Sequence, residues 1–150
     1  MRWFFRAPLL IYRVGLGGLM PAELLLTTVG RKSGQPRRVV VDLLKHDAAT
    51  DTYYVISAYG TSSNWYRNLE ANPELKVQVR RRKFSARAAT LPPDEAEEML
   101  LDFWRRHRLL TRLWRLIGLK TDTEEEARAA AAEMRLVAIR PSSTSYSRSA

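Results

Sequence analysis

The chain contains no cysteine and only two histidines, His46 and His107. Disulfide bonds and cysteine-ligated metal centres are therefore excluded, and so are zinc sites built from several histidines. A chain without cysteine points to a reducing compartment, so we expect it in the cytoplasm. No Ser–His–Asp triad and no pair of carboxylates at catalytic spacing stands out.

Long uninterrupted apolar segments are also missing. Arginine interrupts the aromatic N-terminal stretch Met1–Arg13 before it reaches the ~18 apolar residues of a membrane span. No small-residue cleavage site follows, which argues against a secretory signal. Residues 1–20 are predicted to be helical, and they suit either a helix that lies on a bilayer or one that caps an open barrel end.

Acidic residues are outnumbered, with 16 against 25 lysines and arginines, and the formal net charge is +9. This surplus indicates a polyanionic partner such as nucleic acid, anionic lipid or a polyanionic cofactor. Nucleic acid is disfavoured, because the strands lack aromatic residues interleaved with cations on one face. We expect the 150 residues to form one domain, with a disordered polar tail over residues 142–150.

Short apolar and β-branched runs separated by turn residues predict a mainly β fold with added helices. The alternation is clearest in Leu75–Val79, where every second residue is apolar and the residues between are polar. Strands with one apolar face and one solvent-exposed face predict an antiparallel barrel, closed or half closed, of about six strands. The predicted strands are 24–29, 39–44, 52–57, 75–79, 83–88 and 135–140.

A helical insertion is predicted over residues 92–133. Its middle part, Met99–Ile117, carries arginines at steps of three and four, with aromatic residues on the opposite side. This pattern is typical of a helix that lies on anionic lipid, and it also suits a helix that packs its apolar face on the core. The aromatic residues that would contact a bilayer are Trp3, Phe4, Phe5, Trp104 and Trp114.

The segment Gly30–Arg38 joins the first two predicted strands. Its nine residues hold four cations, a hydroxyl group and two glycines. Glycine permits positive φ, successive N–H groups in such a turn can surround an anion, and Arg and Lys add charge-assisted donors. The pattern favours an oxyanion cradle, although a solvated hairpin tip has the same composition. A Walker loop is excluded, because a strand follows where that motif needs a helix.

A second candidate anion site is the loop at residues 58–63, which is rich in small and hydroxylated residues. It leads into a short helix that ends before Pro73, and the N–H groups of a helix N-terminus attract anions. A capped helix without a ligand explains the same residues. The run Arg80–Lys83 likewise suits either a solvated turn or a nucleic-acid contact.

Taken together, these segments resemble the deazaflavin-dependent nitroreductase family. The similarity rests on Leu24–Arg38, with Leu-Leu-Leu-Thr-Thr and then Gly-Arg-Lys-Ser-Gly-Gln-Pro-Arg, and on Asn64–Pro73, with Trp-Tyr-x-Asn-Leu-x-x-Asn-Pro. With the strands through about Thr90, it covers the central half of the chain. The resemblance implies a split β-barrel, the fold shared with flavin-binding oxidases. It also implies the deazaflavin coenzyme F420, with FMN as the alternative cofactor.

The resemblance implies two groups of cofactor-binding residues and no catalytic or metal-binding residue. F420 carries an anionic phosphodiester and a polyglutamate tail, and the residues implied for these parts are Arg31, Lys32, Ser33, Gly34, Gln35, Pro36 and Arg37. Those implied along the path to the deazaflavin ring are Ser57, Tyr59, Gly60, Ser62, Ser63, Asn64, Trp65 and Asn68. The reduced ring would supply a hydride from its C5, so the protein would mainly orient the reactants.

The implied function is an oxidoreductase that uses F420H2 to reduce a hydrophobic acceptor such as a quinone, a nitro compound or an unsaturated lipid. The Arg- and Trp-rich insertion resembles branches of the wider family linked to membranes. We therefore expect a cytoplasmic protein with a peripheral contact to the inner face of the cell membrane. The alternative is a non-catalytic barrel that binds a fatty acyl or another amphipathic ligand. A homodimer is a candidate assembly.

Overall fold

The computed structural model describes residues 23–57, 60–112, 115 and 120–142. The strands in this part of the chain are β1 Glu23–Val29, β2 Pro36–Asp47, β3 Thr52–Ser57, β4 Glu74–Val79, β5 Arg82–Thr90 and β6 Arg135–Pro141. The helices are α1 Asn64–Ala71, α2 Pro93–Arg106, α3 Arg108–Arg112 and α4 Glu124–Glu133, with a 3₁₀ turn over Gly60–Ser62. The predictions for residues 1–20, Tyr59, Trp114 and residues 143–150 lie outside the described residues.

The strands form a closed antiparallel barrel in the order β1-β2-β3-β6-β5-β4, and β4 pairs with β1. The predicted barrel of about six antiparallel strands is confirmed. Strand β2 is longer than its apolar run over residues 39–44. It extends from Pro36 to Asp47, because its pairing with β1 and β3 continues through polar residues at both ends.

Alternate residues of the strands fill the interior of the barrel. Leu24 and Leu26 of β1, Val55 of β3 and Ile139 of β6 are 0% exposed and belong to one apolar cluster. Leu69 of α1 joins the same cluster. Helix α1 is thereby anchored at one end of the barrel, which also holds the β1–β2 turn and which we call the α1 end.

A second apolar cluster lies outside the barrel, against the helices. Leu136 of β6 and Leu44 of β2 pack there with Leu100 of α2 and Met134, which follows α4. Leu44 reaches this side because a bulge shifts the β2–β3 register after Leu43, so that two successive leucines are buried in different clusters. Strand β6 is buried on both faces, which explains its unbroken apolar run.

The segment predicted as one helix over Met99–Ile117 contains a break. Helix α2 ends at Arg106, and His107 leaves the helical region with φ −123° and ψ 45°. The His107 N–H still donates to the Phe103 carbonyl, and the Thr111 N–H donates to the His107 carbonyl. Because both bonds persist, the chain changes direction between α2 and α3 without losing the backbone hydrogen bonds at the junction.

Trp104 lies inside the protein. Its side chain is 4% exposed, and its indole Nε1–H donates to the Thr121 carbonyl at 2.7 Å. The Thr121 hydroxyl in turn donates to the Thr111 carbonyl at 3.1 Å. The prediction that Trp104 contacts a bilayer is therefore wrong, because the break after α2 lets the following chain cover the indole and accept its only polar hydrogen.

An ion pair joins the β2–β3 and β4–β5 turns at the end opposite α1. The Arg82 guanidinium donates to the two carboxylate oxygens of Asp51 at 2.7 and 3.0 Å, and His46 Nε2 lies 3.0 Å from the same carboxylate. Arg82 also donates to the Tyr53 hydroxyl at 2.9 Å. The hydrogen bonds from Arg82 and then His46 outweigh burial and lower the pKa of Asp51 from 3.8 to about 2.

Replacing Leu136 with alanine should lower the free energy of unfolding by ~2–5 kcal/mol, because the fully buried side chain would leave a cavity between β6 and the helices. Leu109→Ala is the matched control. Leu109 is 80% exposed, so its loss should change stability by less than about 0.5 kcal/mol. Urea unfolding followed by circular dichroism measures both, and equal effects would contradict the packing of the helices on β6.

Asp51 should make the free energy of unfolding of the protein depend on pH under acidic conditions. The pKa of Asp51 is lower in the folded than in the unfolded chain. Its contribution to the free energy of unfolding is therefore complete above pH 3.8 and is lost as the pH falls toward 2. The pair is partly exposed, and solvent screening leaves an expected ~0.5–1 kcal/mol. Asp51→Asn should remove this part of the pH dependence of the free energy of unfolding. An unchanged slope in the variant below about pH 4 would disprove the assignment.

Candidate functional site

Backbone hydrogen bonds close the turn between β1 and β2. The Gly30 N–H donates to the Gln35 carbonyl and the Gly34 N–H donates to the Gly30 carbonyl, both at 2.8 Å. Gly34 has φ +70°, and a Cβ at Gly30 would lie 2.7 Å from Ser33 Oγ. Gly34 therefore favours glycine for its backbone angle, and a side chain at Gly30 would displace the Ser33 hydroxyl and crowd the Gln35 carbonyl oxygen at 3.1 Å. The side chains of residues 31–38 are exposed around this closed turn.

Arg31 ties the turn to α1. Its backbone N–H donates to Asn68 Oδ1 at 3.2 Å, and its guanidinium donates to the same oxygen at 2.9 Å and to Asn64 Oδ1 at 3.3 Å. Asn68 is buried, and its Nδ2 donates to the Thr28 hydroxyl at 3.2 Å. These bonds connect the end of β1, the turn and α1, and we call them the Asn68 clamp. Arg31 and Asn68, both expected to bind the cofactor, thus also fix the shape of the site.

Lys32 and Arg37 present cations beside the Asn68 clamp. Within the described part of the chain, no carboxylate forms an ion pair with either of them. Ser33 Oγ accepts a bond from the Gln35 N–H at 3.2 Å and one from Arg37 at 3.4 Å. The turn therefore offers the charged donors and the hydroxyl that phosphate and carboxylate groups bind.

Hydroxyl groups organise the loop after β3. Ser57 Oγ lies 2.7 Å from the Gly60 carbonyl oxygen and 3.0 Å from Ser63 Oγ. Since a hydroxyl carries one hydrogen, Ser57 can donate to only one of these two oxygens at a time. Gly60 has φ +59°, and a Cβ there would collide with the Glu133 carbonyl oxygen at the end of α4. These three predicted site residues therefore hold the loop in place through bonds within the protein.

Helix α1 starts where the loop and the turn meet. Ser63 is its N-cap residue, and its side chain makes no capping bond. The N–H groups of the first turn of α1 consequently lack a side-chain acceptor from the cap. Trp65 in this turn is half-buried, packs against the barrel interior and contacts Tyr66 edge-on, with ring centroids 6.3 Å apart. Ser62 and Asn64 are exposed on either side of the N-cap.

The structure thus brings the two groups of predicted site residues together at the α1 end of the barrel. Sequence reasoning missed two residues that support them. Thr28 is buried, accepts from Asn68 and donates to the Arg37 carbonyl at 3.4 Å, and its only signal was its place at a strand end before the turn. Arg67 Nε donates to the Thr61 carbonyl at 2.8 Å, and no pattern in the chain indicated that contact.

Asn68→Ala should loosen the turn. The change leaves the Arg31 N–H and the Thr28 hydroxyl without this partner, which should cost ~1–3 kcal/mol of the free energy of unfolding and speed amide exchange over residues 30–35. Asn64→Ala is the control, since it removes only the exposed 3.3 Å contact between Arg31 and Asn64 Oδ1, and it should cost less than about 0.5 kcal/mol. Hydrogen–deuterium exchange resolves the turn, and wild-type protection in Asn68→Ala would refute the clamp.

Comparison with known proteins identifies the family. Residues 11–123 match the family model described as F420H(2)-dependent quinone reductase. The chain is 28% identical over 101 residues to the F420H(2)-dependent quinone reductase Rv1261c of Mycobacterium tuberculosis. That match covers 65% of this chain and 58% of the relative, so the chain spans less than two thirds of the relative's length.

Solved structures share the fold at low sequence identity. An F420-H2 dependent reductase (FDR-A) superposes with a TM-score of 0.53 at 22% identity, over 79% of this chain and 93% of that one. An FMN-binding protein related to pyridoxamine 5′-phosphate oxidase from Nostoc punctiforme gives 0.56 at 11% identity, over 91% and 80%. The predicted split-barrel fold and the predicted deazaflavin cofactor are both confirmed. The chain belongs to the F420H(2)-dependent quinone reductase family, and its family cofactor is coenzyme F420.

Proposed function

We propose that this protein transfers hydride from F420H2 to a quinone or a comparably apolar acceptor. Family membership supports the donor, and the description of the family and of its curated relative supports the acceptor. The observation that carries the proposal is the α1 end of the barrel. A turn whose cations pair with no carboxylate of the described residues lies there, beside a hydroxyl-lined loop and a half-buried tryptophan.

The β1–β2 turn fits the anionic half of F420. Lys32 and Arg37 would bind the phosphodiester, with the Ser33 hydroxyl beside them. Arg31 would add charge to the same region while its bonds to α1 hold the turn in one conformation. A turn fixed before the cofactor arrives loses little conformational freedom on binding, which favours affinity.

The loop and the start of α1 fit the ring end of the cofactor. Trp65 offers a half-buried apolar surface, and Ser62 and Asn64 offer polar groups next to it. Bound F420H2 would supply the hydride, and the proton that completes the reduced quinone would come from solvent. The role of the protein is to hold the ring against the acceptor and to keep water out of the space between them.

The non-catalytic alternative requires an apolar cavity for an acyl chain. In the described residues, the barrel interior is instead filled by side chains that are 0–2% exposed: Leu24, Leu26, Val55, Val77 and Ile139. An acyl ligand would therefore have to displace the core, at a cost of several kcal/mol. This packing favours the reductase over a lipid carrier.

Peripheral attachment to an anionic membrane, a homodimer, and nitro compounds or unsaturated lipids as acceptors stay predictions. Of the helices in the described ranges, none has the length and apolar character needed to cross a bilayer. The described part of the basic insertion exposes Leu109 and Arg112 on α3. These two residues would offer lipid one apolar and one cationic contact.

The proposal is tested by measuring the oxidation of F420H2 with and without menadione. The absorbance of the oxidised cofactor reports the rate. We expect quinone-dependent turnover. Lys32→Ala should raise the KM for F420H2 tenfold or more with kcat near wild type, since a charge-assisted contact contributes ~1.5–3 kcal/mol to binding. Lys120→Ala removes the same charge elsewhere and should leave both parameters unchanged.

The outcomes separate the parts of this proposal. Cofactor binding without quinone-dependent turnover would exclude the acceptor and keep the donor. An unchanged KM in Lys32→Ala would show that the turn does not hold the cofactor. Failure of the wild-type protein to bind F420 would reject the reductase altogether.

A further inference from the structure

A surface groove of about 560 Å³ opens at the end of the barrel opposite α1. We call it the Arg80 groove. Its floor is formed by Leu43, Tyr53 and Val79, which belong to the apolar cluster of the barrel interior or pack against it. The volume lies within the range of small-molecule sites, so the groove can hold a ligand that carries an apolar group.

Cations line the rim of the Arg80 groove. Lys45 of β2 and Arg80 and Arg81 of the β4–β5 turn are exposed there. Within the described ranges, none of these three residues forms an ion pair. Arg82 also lines the groove, but Asp51 balances its charge. The described lining contains no carboxylate, so the rim offers three cations to an anionic ligand.

The backbone of Arg80 adopts a conformation that is costly for arginine. Val79 pairs with Arg82, so Arg80 and Arg81 form a two-residue hairpin turn. Arg80 has φ +53°, and turns of this kind usually place glycine, asparagine or aspartate where φ is positive. In the described part of the chain, no ion pair of the Arg80 guanidinium offsets this cost. A strained position that carries a charge the fold does not use indicates a role in binding.

Arg82 holds the two walls of the Arg80 groove together. Its guanidinium donates to the Asp51 carboxylate at 2.7 Å and to the Tyr53 hydroxyl at 2.9 Å, which joins the β4–β5 turn to β3 and its preceding turn. The His46 ring stacks on Tyr53, with centroids 4.1 Å apart, and lines the groove beside it. Walls that are fixed before a ligand arrives lose little conformational freedom on binding.

The charges and the floor select one class of ligand. A phosphate monoester carries close to two negative charges and three acceptor oxygens, and arginine matches this geometry with paired donors. A bilayer fits less well. None of the exposed large apolar residues in the described ranges lines the groove, and the floor residues Leu43 and Tyr53 are only 8% and 4% exposed. A flat surface would meet the rim without reaching the floor.

We propose that the Arg80 groove binds an organic phosphate, that is, a phosphate monoester that carries an apolar group. Lys45, Arg80 and Arg81 hold the phosphate at the rim, and the apolar group lies over the floor. The site is separate from the proposed cofactor site, because the packed barrel interior lies between the two ends.

Titration of ¹⁵N-labelled protein with phenyl phosphate, followed by the NMR shifts of the backbone amides, tests this assignment. Oxidised F420 is kept in excess, so that the proposed cofactor site is occupied during the titration. We expect saturable shifts at residues 45–46 and 79–83. Inorganic phosphate should bind there roughly tenfold more weakly, because it leaves the apolar floor uncovered.

Arg80→Gly separates a binding role from a structural one. Loss of one exposed charge contact should weaken the binding of phenyl phosphate roughly two- to fivefold. The same change should raise the midpoint of thermal unfolding, because glycine adopts φ +53° without strain. A residue that serves only the fold would give the opposite result, a lower midpoint with unchanged binding.

A double variant and a matched control complete the test. Arg80→Gly/Arg81→Gln should bind phenyl phosphate roughly tenfold more weakly than wild type. Arg112→Gln/Lys120→Gln removes equal charge from exposed positions outside the groove and should retain the wild-type Kd. Wild-type affinity in the first variant would overturn the assignment. So would equal affinity for inorganic and phenyl phosphate, or shifts confined to the β1–β2 turn.

Vesicles that contain phosphatidic acid present the same phosphate on a lipid surface. If the wild type sediments with them, Arg80→Gly/Arg81→Gln does not, and phenyl phosphate fails to bind, the rim contacts a membrane and the small-ligand site is wrong. The proposed function fails separately, if the wild-type protein does not bind F420. The shifts at residues 79–83 are read at the opposite end of the barrel, so the two failures are distinguishable.

Discussion

The buried side-chain amide of Asn68 is the contact on which the site depends. It accepts from the Arg31 backbone and guanidinium and donates to the Thr28 hydroxyl. A buried amide is costly unless its donors and acceptors are paired, so α1, the end of β1 and the turn must take up mutually consistent positions. Lys32 and Arg37 are surface cations of an ordinary kind. They become a specific anion site only because the turn between them is closed by glycine and bonded to a helix that is anchored in the barrel core.

Helices cover one side of the barrel and leave another side open, and the two sides have different roles. Strand β6 carries apolar residues on both faces, and the helices pack on its outer face through the cluster around Leu136. Strand β1 carries apolar residues on its inner face, and Thr27 lies on its outer face between Arg38 and Lys76. One side of the barrel therefore supplies stability through burial, and the other supplies a charged surface that leads away from the turn. The α1 end joins the two, since its loop rests on the end of α4 through Gly60.

Much of the fold follows from local sequence patterns, whereas the contacts that shape the site do not. Alternation over Leu75–Val79 and glycine at Gly30 and Gly34 act within a few residues, so the strands and the turn were predictable. The bulge after Leu43 and the break at His107 result from packing between distant segments, and no local pattern encodes them. The same holds for the roles of the site residues. The sequence did not distinguish Arg31, which is bonded to α1, from Lys32, which pairs with no carboxylate in the described ranges. The difference depends on Asn68, 37 residues further along the chain from Arg31.

A crystal structure of the protein with oxidised F420 is the most direct test of the central claim that the clamped β1–β2 turn is the anion site. The account predicts the phosphodiester at the α1 end, with its oxygens within hydrogen-bond distance of Lys32 and Arg37 and the Asn68 clamp intact. The opposite end of the barrel provides the contrasting site, since Lys45, Arg80 and Arg81 line a groove there. A phosphodiester bound among those three cations, with the turn unoccupied, would contradict the account.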